Sequence, residues 1–165
     1  MNLVILGQGG YAYTIKDVAE QLGYDIIAML DDKDPVHPLF SFKNYISPET
    51  VFIPAFGNNE FRLSWCERLE TAGAKLAKII HFTAYVSPRA IIHDGVVILP
   101  HAVINTDVEI KRGCIINIGA IVDHGTILEE SVHIAPGAIV KGENRIKQCV
   151  KIDSGEVIVA RQWPL

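Results

Sequence analysis

The sequence predicts two differently built parts: an α/β, Rossmann-like subdomain over residues 1–82, then an all-β parallel β-helix over residues 83–165. Two observations carry this. In the first part, short aliphatic runs alternate with longer amphipathic stretches, the pattern of strands and helices in turn. In the second, an aliphatic residue recurs at every sixth position, which neither helical nor simple strand periodicity produces.

The amino-terminal elements follow in order. Leu3-Val4-Ile5-Leu6 reads as a buried strand. Gly7-Gln8-Gly9-Gly10-Tyr11-Ala12 turns into an amphipathic helix running to about Leu22, with Gly23 as its stop. Ile26 to Leu30 is a second strand, ending at Asp31-Asp32. Pro35 to Pro48 is expected to be a loop with little regular structure. Val51 to Phe56 is a third strand, in which Pro54 suggests an edge or a bend. Gly57-Asn58-Asn59 is a turn, Glu60 to Ala72 a second helix stopped by Gly73, and Lys78-Ile79-Ile80-His81 a fourth short strand leading into the repeats.

The repeat runs Val86, Ile92, Ile98, Ile104, Ile110, Ile116, Val122, Leu128, Ile134, Val140, Ile146, Ile152, Ile158. Three positions after it glycine recurs, at Gly95, Gly113, Gly119, Gly125, Gly137 and Gly155, which suits a turn of positive φ. Four positions after it stand small or medium residues such as Ala102, Cys114, Ala120 and Ala138. Each hexapeptide therefore makes one short strand and one corner of a triangular coil. Its aliphatic side chain points inward and stacks on its equivalent three repeats later.

Composition bounds the function. Of 165 residues 49% are hydrophobic and 21% charged, enough for a packed core. A net charge of −4 offers no basic face, so no nucleic-acid partner is expected. No apolar run suffices for a membrane span, and Met1 to Gly7 lacks the basic leader of a signal peptide. Cys66, Cys114 and Cys149 are odd in number and lack metal-ligand spacing, so they read as reduced thiols of a cytoplasmic protein.

Two places carry chemistry. Gly7-x-Gly9-x-x-Ala12 after a strand, with Asp31 closing the next, satisfies the dinucleotide fingerprint in form. Its glycines let backbone N–H groups approach a phosphate at a helix N-terminus, and a carboxylate there can take ribose hydroxyls. The alternative is a tight turn with no ligand. About eighty residues cannot supply the second half of a doubly wound sheet, so a mononucleotide suits better than NAD. In the repeats, His124 follows inward Val122 by two residues and so stands at a corner, facing solvent or a cleft. Histidine can take a proton near neutral pH. His133 precedes inward Ile134 and lies on the prism surface. His37, His81, His93 and His101 read as structural.

Taken together, Ile5-Leu6-Gly7-Gln8-Gly9-Gly10, Met29-Leu30-Asp31-Asp32, Phe56-Gly57-Asn58-Asn59 and the run from Ile116 through Asp123-His124 to Ala138 resemble the NeuD/PglD-like sugar acetyltransferases of the hexapeptide-repeat class. The resemblance covers nearly the whole chain. It implies a left-handed β-helix, a homotrimer with active sites between neighbouring prisms, and acetyl transfer from acetyl-CoA to a nucleotide-linked amino sugar, with no metal. On these positions Gly7, Gly9, Gly10, Tyr11, Asp31 and Asp32 would meet the nucleotide part. His124 would be the general base, with Asn117 and Asp123 beside the reacting groups. His133, Gly119, Gly137 and Ala138 would line the acetyl and pantetheine path.

The pattern departs from the family in three places. Gly125 stands where a carboxylate often follows the histidine, and Tyr11 where the glycine turn commonly ends in histidine. After Gly142 the glycine and small-residue pattern fades, and family chains usually run one or two coils further. Trp163-Pro164 is expected to cap the open end. These departures keep a second reading open, a non-catalytic nucleotide-sugar-binding or scaffold subunit that has lost the CoA site. A third, a zinc hydrase of the γ-carbonic-anhydrase kind, needs a histidine spacing this chain does not have.

Overall fold

A computed structural model describes residues 1–164 as two compact units, Met1–Lys78 and Ile79 onward. The first is a four-stranded parallel sheet of order β2-β1-β3-β4, with β1 at Asn2–Leu6, β2 at Asp25–Leu30, β3 at Thr50–Pro54 and β4 at Lys75–Leu76. Helices α1 (Gly10–Gln21) and α2 (Asn59–Thr71) make the crossovers. β1 from Leu3 and β3 from Val51 are apolar because they lie inside the sheet, with neighbours on both sides.

Three local expectations change. The Pro35–Pro48 stretch is not structureless: Leu39–Tyr45 forms a 3-10 helix that buries Leu39 and Phe42. Phe42 meets Phe52 and Trp65 edge-on, with ring centroids 6.4 and 5.8 Å away, and this aromatic anchorage is what orders the segment. Pro54 does not mark an edge strand. It is the last residue of β3, where the ladder ends and its missing N–H costs little. The strand expected at Lys78–His81 is Ile79–Ile80, and it pairs with Val97–Ile98 in the second unit rather than completing the first sheet.

The second unit is a triangular prism of parallel coils. Its three flat faces are ladders of two-residue strands, each paired with its equivalents one coil before and after: Ile115 with Val97 and His133, Ile121 with Val103 and Ile139, Ile127 with Glu109 and Arg145. The sixth-position aliphatics from Ile98 to Ile158 are all buried in one continuous core, joined by the small residues Ala102, Cys114, Ala120 and Ala138.

The corners explain the glycines and go beyond them. The residue three after each inward aliphatic from Ile92 onward has positive φ, but it need not be glycine: His101, Asp107, Ser131, Glu143, Cys149 and Arg161 adopt φ of 55–60° at the same point of the hexapeptide. At each of these corners from Gly119 onward the N–H donates to a carbonyl of the preceding coil, as Gly125 does to Thr106 (3.0 Å) and Glu143 to His124 (3.0 Å). The coil thus continues where glycine fades. Asn144 takes the small-residue position and is wholly buried. Its Nδ2 donates to the carbonyls of Lys141 (2.7 Å) and Val159 (2.9 Å), and its Oδ1 accepts the Trp163 N–H (2.8 Å). The Trp163 carbonyl in turn accepts the N–H of Arg145 (2.6 Å), a donation that the rest of the ladder directs to the following coil.

Because every inward side chain stacks between two equivalents, one truncation is felt along the prism. Ile116→Ala should cost about 2–4 kcal/mol in urea unfolding of the chain, as for a buried aliphatic that cannot be replaced by collapse. A loss below about 1 kcal/mol would contradict close stacking at this level.

Candidate active site

In the first unit the capable side chains gather at the carboxyl ends of the strands. The chain leaves β1 for β2 on one side and returns to β3 on the other, so the ends of β1 and β3 flank the crevice where open parallel sheets receive ligands. Gly7 has φ of +118°, and a Cβ there would stand 3.0 Å from the carbonyl oxygen of Ala55, so the two strand ends meet backbone to backbone. Gly9 caps α1 and Gly10 begins it. Nothing lies within 4 Å of a Cβ at either, which leaves the helix N-terminus as bare backbone N–H groups able to meet an anion.

Gln8 binds this turn to the segment after β2. Its N–H donates to Asp31 Oδ2 (3.0 Å), and its Nε2 donates to the Met29 carbonyl (3.0 Å) and to Asp34 Oδ2 (3.1 Å). Asp31 therefore does sit against the glycine turn, with its other oxygen on the Lys33 N–H. Asp32 turns to the Leu39 N–H (2.9 Å) and starts the 3-10 helix. Asp34, which sequence reasoning passed over, also accepts the N–H groups of Val36 and His37. Donation by Gln8, then by Val36 and His37, holds its carboxyl at about 2. The signal was available only as an Asp two residues beyond the expected pair.

Tyr11 follows the turn. Its phenol oxygen is buried and finds no hydrogen-bond partner among the described residues. Burial pushes its ionisation up, against the pull of the Arg62 guanidinium. Arg62, itself buried, donates from α2 to the Phe56 carbonyl and to Asn59 Oδ1, both at 2.8 Å.

In the prism the expected residues divide between two corners. One follows Ile116: Asn117 Nδ2 donates to His133 Nε2 across one coil (3.1 Å), which requires the imidazole hydrogen on Nδ1. Gly119, Gly137 and Gly155 stack along this edge with nothing within 4 Å of where a Cβ would be, so the edge is a lane of backbone beside exposed Ile118 and Pro136. Ala138 is inside the core, so only its backbone borders that lane. The other corner follows Val122 and bears Asp123 and half-exposed His124. The face holding Ile121–Val122 separates the two, so a single chain does not bring Asn117 to His124.

Burial works against the Asp123 carboxylate, yet the His124 N–H (2.7 Å) and the Asn105 amide (2.8 Å) hold its carboxyl below the usual range. Its Oδ2 lies 4.0 Å from His124 Nε2, too far for a hydrogen bond. Asp123 thus fixes the corner and acts on the imidazole only through its charge. Two residues that the sequence reading omitted belong here. Asn105 holds Asp123 from the coil before. Gly142, in the coil after, lies so close that a Cβ on it would be 2.7 Å from His124 Cε1 and Nε2.

Comparison with known proteins supplies a frame for both clusters. A family model described as the PglD N-terminal domain matches residues 2–69. The acetyltransferase domain of PglB from Neisseria gonorrhoeae is 36% identical and superposes with a TM-score of 0.87 over 94% of this chain and 81% of that one. The same domain is known in complex with acetyl coenzyme A, at the same identity and TM-score. A mutant perosamine N-acetyltransferase from Caulobacter crescentus, in complex with CoA and GDP-perosamine, shares the fold at 24% identity, with a TM-score of 0.85 over 99% of this chain and 90% of that one. Superposition at this level does not survive a change of hand, so the coils wind in the same sense as those of these relatives, and the stacked parallel strands fit the left-handed β-helix that the resemblance implies.

The Gln8–Asp34 link gives a pH test of how the glycine turn is held. A depressed carboxyl stabilises the fold above the ordinary carboxylate range and loses that contribution as pH falls through its own value. Asp34→Asn should therefore lower Tm near neutral pH, and the gap to wild type should close between about pH 4 and about pH 2 in calorimetric scans.

Proposed function

The chain belongs to the PglD-like sugar acetyltransferases, and from that premise we propose that it moves acetyl from acetyl-CoA to the amino group of a nucleotide-linked sugar, with His124 as general base in a site shared by two copies of a homotrimer. The observation that carries this is the separation of Asn117 and His124 onto two corners of one prism. The face between them has an outward column that is apolar at every level: Tyr85, Val103, Ile121, Ile139 and Val157. Three prisms turned inward on that face would cover it. Each would then lay the corner bearing Asn117 and His133 beside a neighbour's corner bearing His124.

The residues suit the chemistry. The backbone lane of Gly119, Gly137 and Gly155 leaves room for an extended, amide-bearing arm to lie flat on the edge. His124, half-exposed and with no hydrogen bond on its ring among the described residues, takes the proton from the sugar nitrogen as that nitrogen attacks the thioester carbon. The C–N bond forms, the C–S bond breaks, and the same proton passes to the departing thiolate. The oxyanion requires a hydrogen-bond donor, which the second N–H of the Asn117 amide can supply. The glycine turn, Tyr11 and Asp31 receive the nucleotide, the phosphates on the bare helix N-terminus. The hydroxyl of a sugar is the less favoured acceptor, being the weaker nucleophile at neutral pH.

Two measurements test this. His124→Ala should bind acetyl-CoA in isothermal titration as wild type does, while kcat with a nucleotide-linked amino sugar falls by about 10²–10⁴-fold. Binding of the nucleotide sugar without any binding of acetyl-CoA would instead favour the non-catalytic subunit. Sedimentation equilibrium should return a trimer, and a stable monomer with full activity would refute the shared site.

A further inference from the structure

Gly142 has no conformational reason to be glycine. It is absent from the residues of positive φ, so an alanine would fit its backbone. Nor is it an exposed corner with room to spare, since it is buried although its corner is on the surface. What lies over it is the imidazole of His124, one coil below. A Cβ on Gly142 would stand 2.7 Å from Cε1, 2.7 Å from Nε2 and 3.1 Å from Cδ2 of that ring, inside any distance that carbon tolerates. In the same column the coil below carries His124 itself, the coil below that Thr106, and the coil above Ala160. The glycine therefore appears at the one level where a ring needs the space.

We propose that Gly142 is a positioning residue for the proposed base: its bare Cα is the seat on which the His124 imidazole lies. The inference rests on the reading of His124 as base only for its catalytic consequence, since the seat itself is a matter of geometry. Two features make the seat specific. The ring touches it with its Nε2–Cε1 edge, so the seat sets the direction from which Nε2 meets an incoming nitrogen. The Gly142 N–H is also one of the donors that hold the Asp123 carboxylate, so one residue places both the ring and the charge beside it. Asp123 makes no bond to the ring, and contact with Gly142 is what limits the imidazole on that side.

A methyl group at 142 would evict the ring rather than break the coil, because the imidazole is half-exposed and can rotate away. Gly142→Ala should keep the fold and the oligomeric state, show His124 in a different side-chain rotamer in a crystal structure, and lose about ten- to a hundredfold in kcat with KM for acetyl-CoA little changed. Ala160→Gly, in the same column one coil later, should change neither. An alanine variant with unmoved ring or with kcat within about twofold of wild type overturns the seat. Should Gly142→Ala fail to fold, the double variant with His124→Ala decides: it should fold, since no ring is left to meet, and its unfolding would show that something other than the imidazole excludes a Cβ. If His124→Ala keeps full turnover the base reading fails, while the rotamer in Gly142→Ala still tests the seat.

Discussion

Everything in the carboxy-terminal unit depends on one repeated constraint, the coil-to-coil hydrogen bond made by a corner residue held at positive φ. It fixes the rise from coil to coil, and the inward aliphatic column can stack only at that rise. Among the described residues six that are not glycine accept this conformation, Asp107, Glu143 and Arg161 among them, at a cost of about 1–2 kcal/mol each. From Ser131 onward they persist because their N–H groups would otherwise be left without the carbonyl of the coil below, and because the core on either side gives the backbone no other path. A prism built this way is rigid at its corners. Side chains that must act on a reacting group are therefore carried by backbone that is bonded to the coils above and below.

The corner column that includes Gly125 shows how that rigidity is used. Arg89 pairs with Asp107 in this column, and Arg161 pairs with Glu143 two coils above Asp107. Gly125 interrupts the ladder at the level of His124. Such exposed pairs add little stability. Their effect here is local: Arg161 engages the Glu143 carboxylate, which otherwise would act on the imidazole by itself. The carboxylate expected at 125 from the resemblance is absent, and Glu143 reaches across to 3.6 Å from where a Cβ on Gly125 would stand. Charge next to His124 comes instead from Asp123, and at longer range from Glu143, whose carboxyl is lowered first by Arg161 and in smaller part by His124.

Much of this was legible in the sequence because the signals are periodic or local. The sixth-position aliphatics announce the inward column. The glycines after them announce the corner, and Gly7 to Gly10 after an apolar strand announce a turn into a helix. What escaped was of another kind. Asp31 and Asp32 look alike as neighbours at a strand end, yet one meets the glycine turn and the other starts a 3-10 helix, because adjacent side chains on an irregular segment diverge. Asn144 breaks the small-residue column and reads as an ending, but its amide is satisfied by three backbone groups of the final coils. Gly142 looks like one more turn glycine. Its meaning lies in a side chain one whole coil away, and contacts between coils depend on rotamers that no repeat pattern encodes.

The division of the site between two corners has a consequence for how such a chain can lose or keep its activity. Asn117 and His133 bond to each other without help from His124, and Asp123, Asn105 and Gly142 assemble around His124 without help from Asn117. Each half is complete as a structure and incomplete as chemistry. Stability of the single chain therefore places no demand on the distance between the halves. In the proposed trimer the apolar face from Tyr85 to Val157 would set that distance, by the way copies pack on it. A substitution that reshapes this face, while leaving every named polar residue in place, would move a well-built base away from a well-built lane. On the proposed function, the packing face would belong to the active site as much as the histidine does.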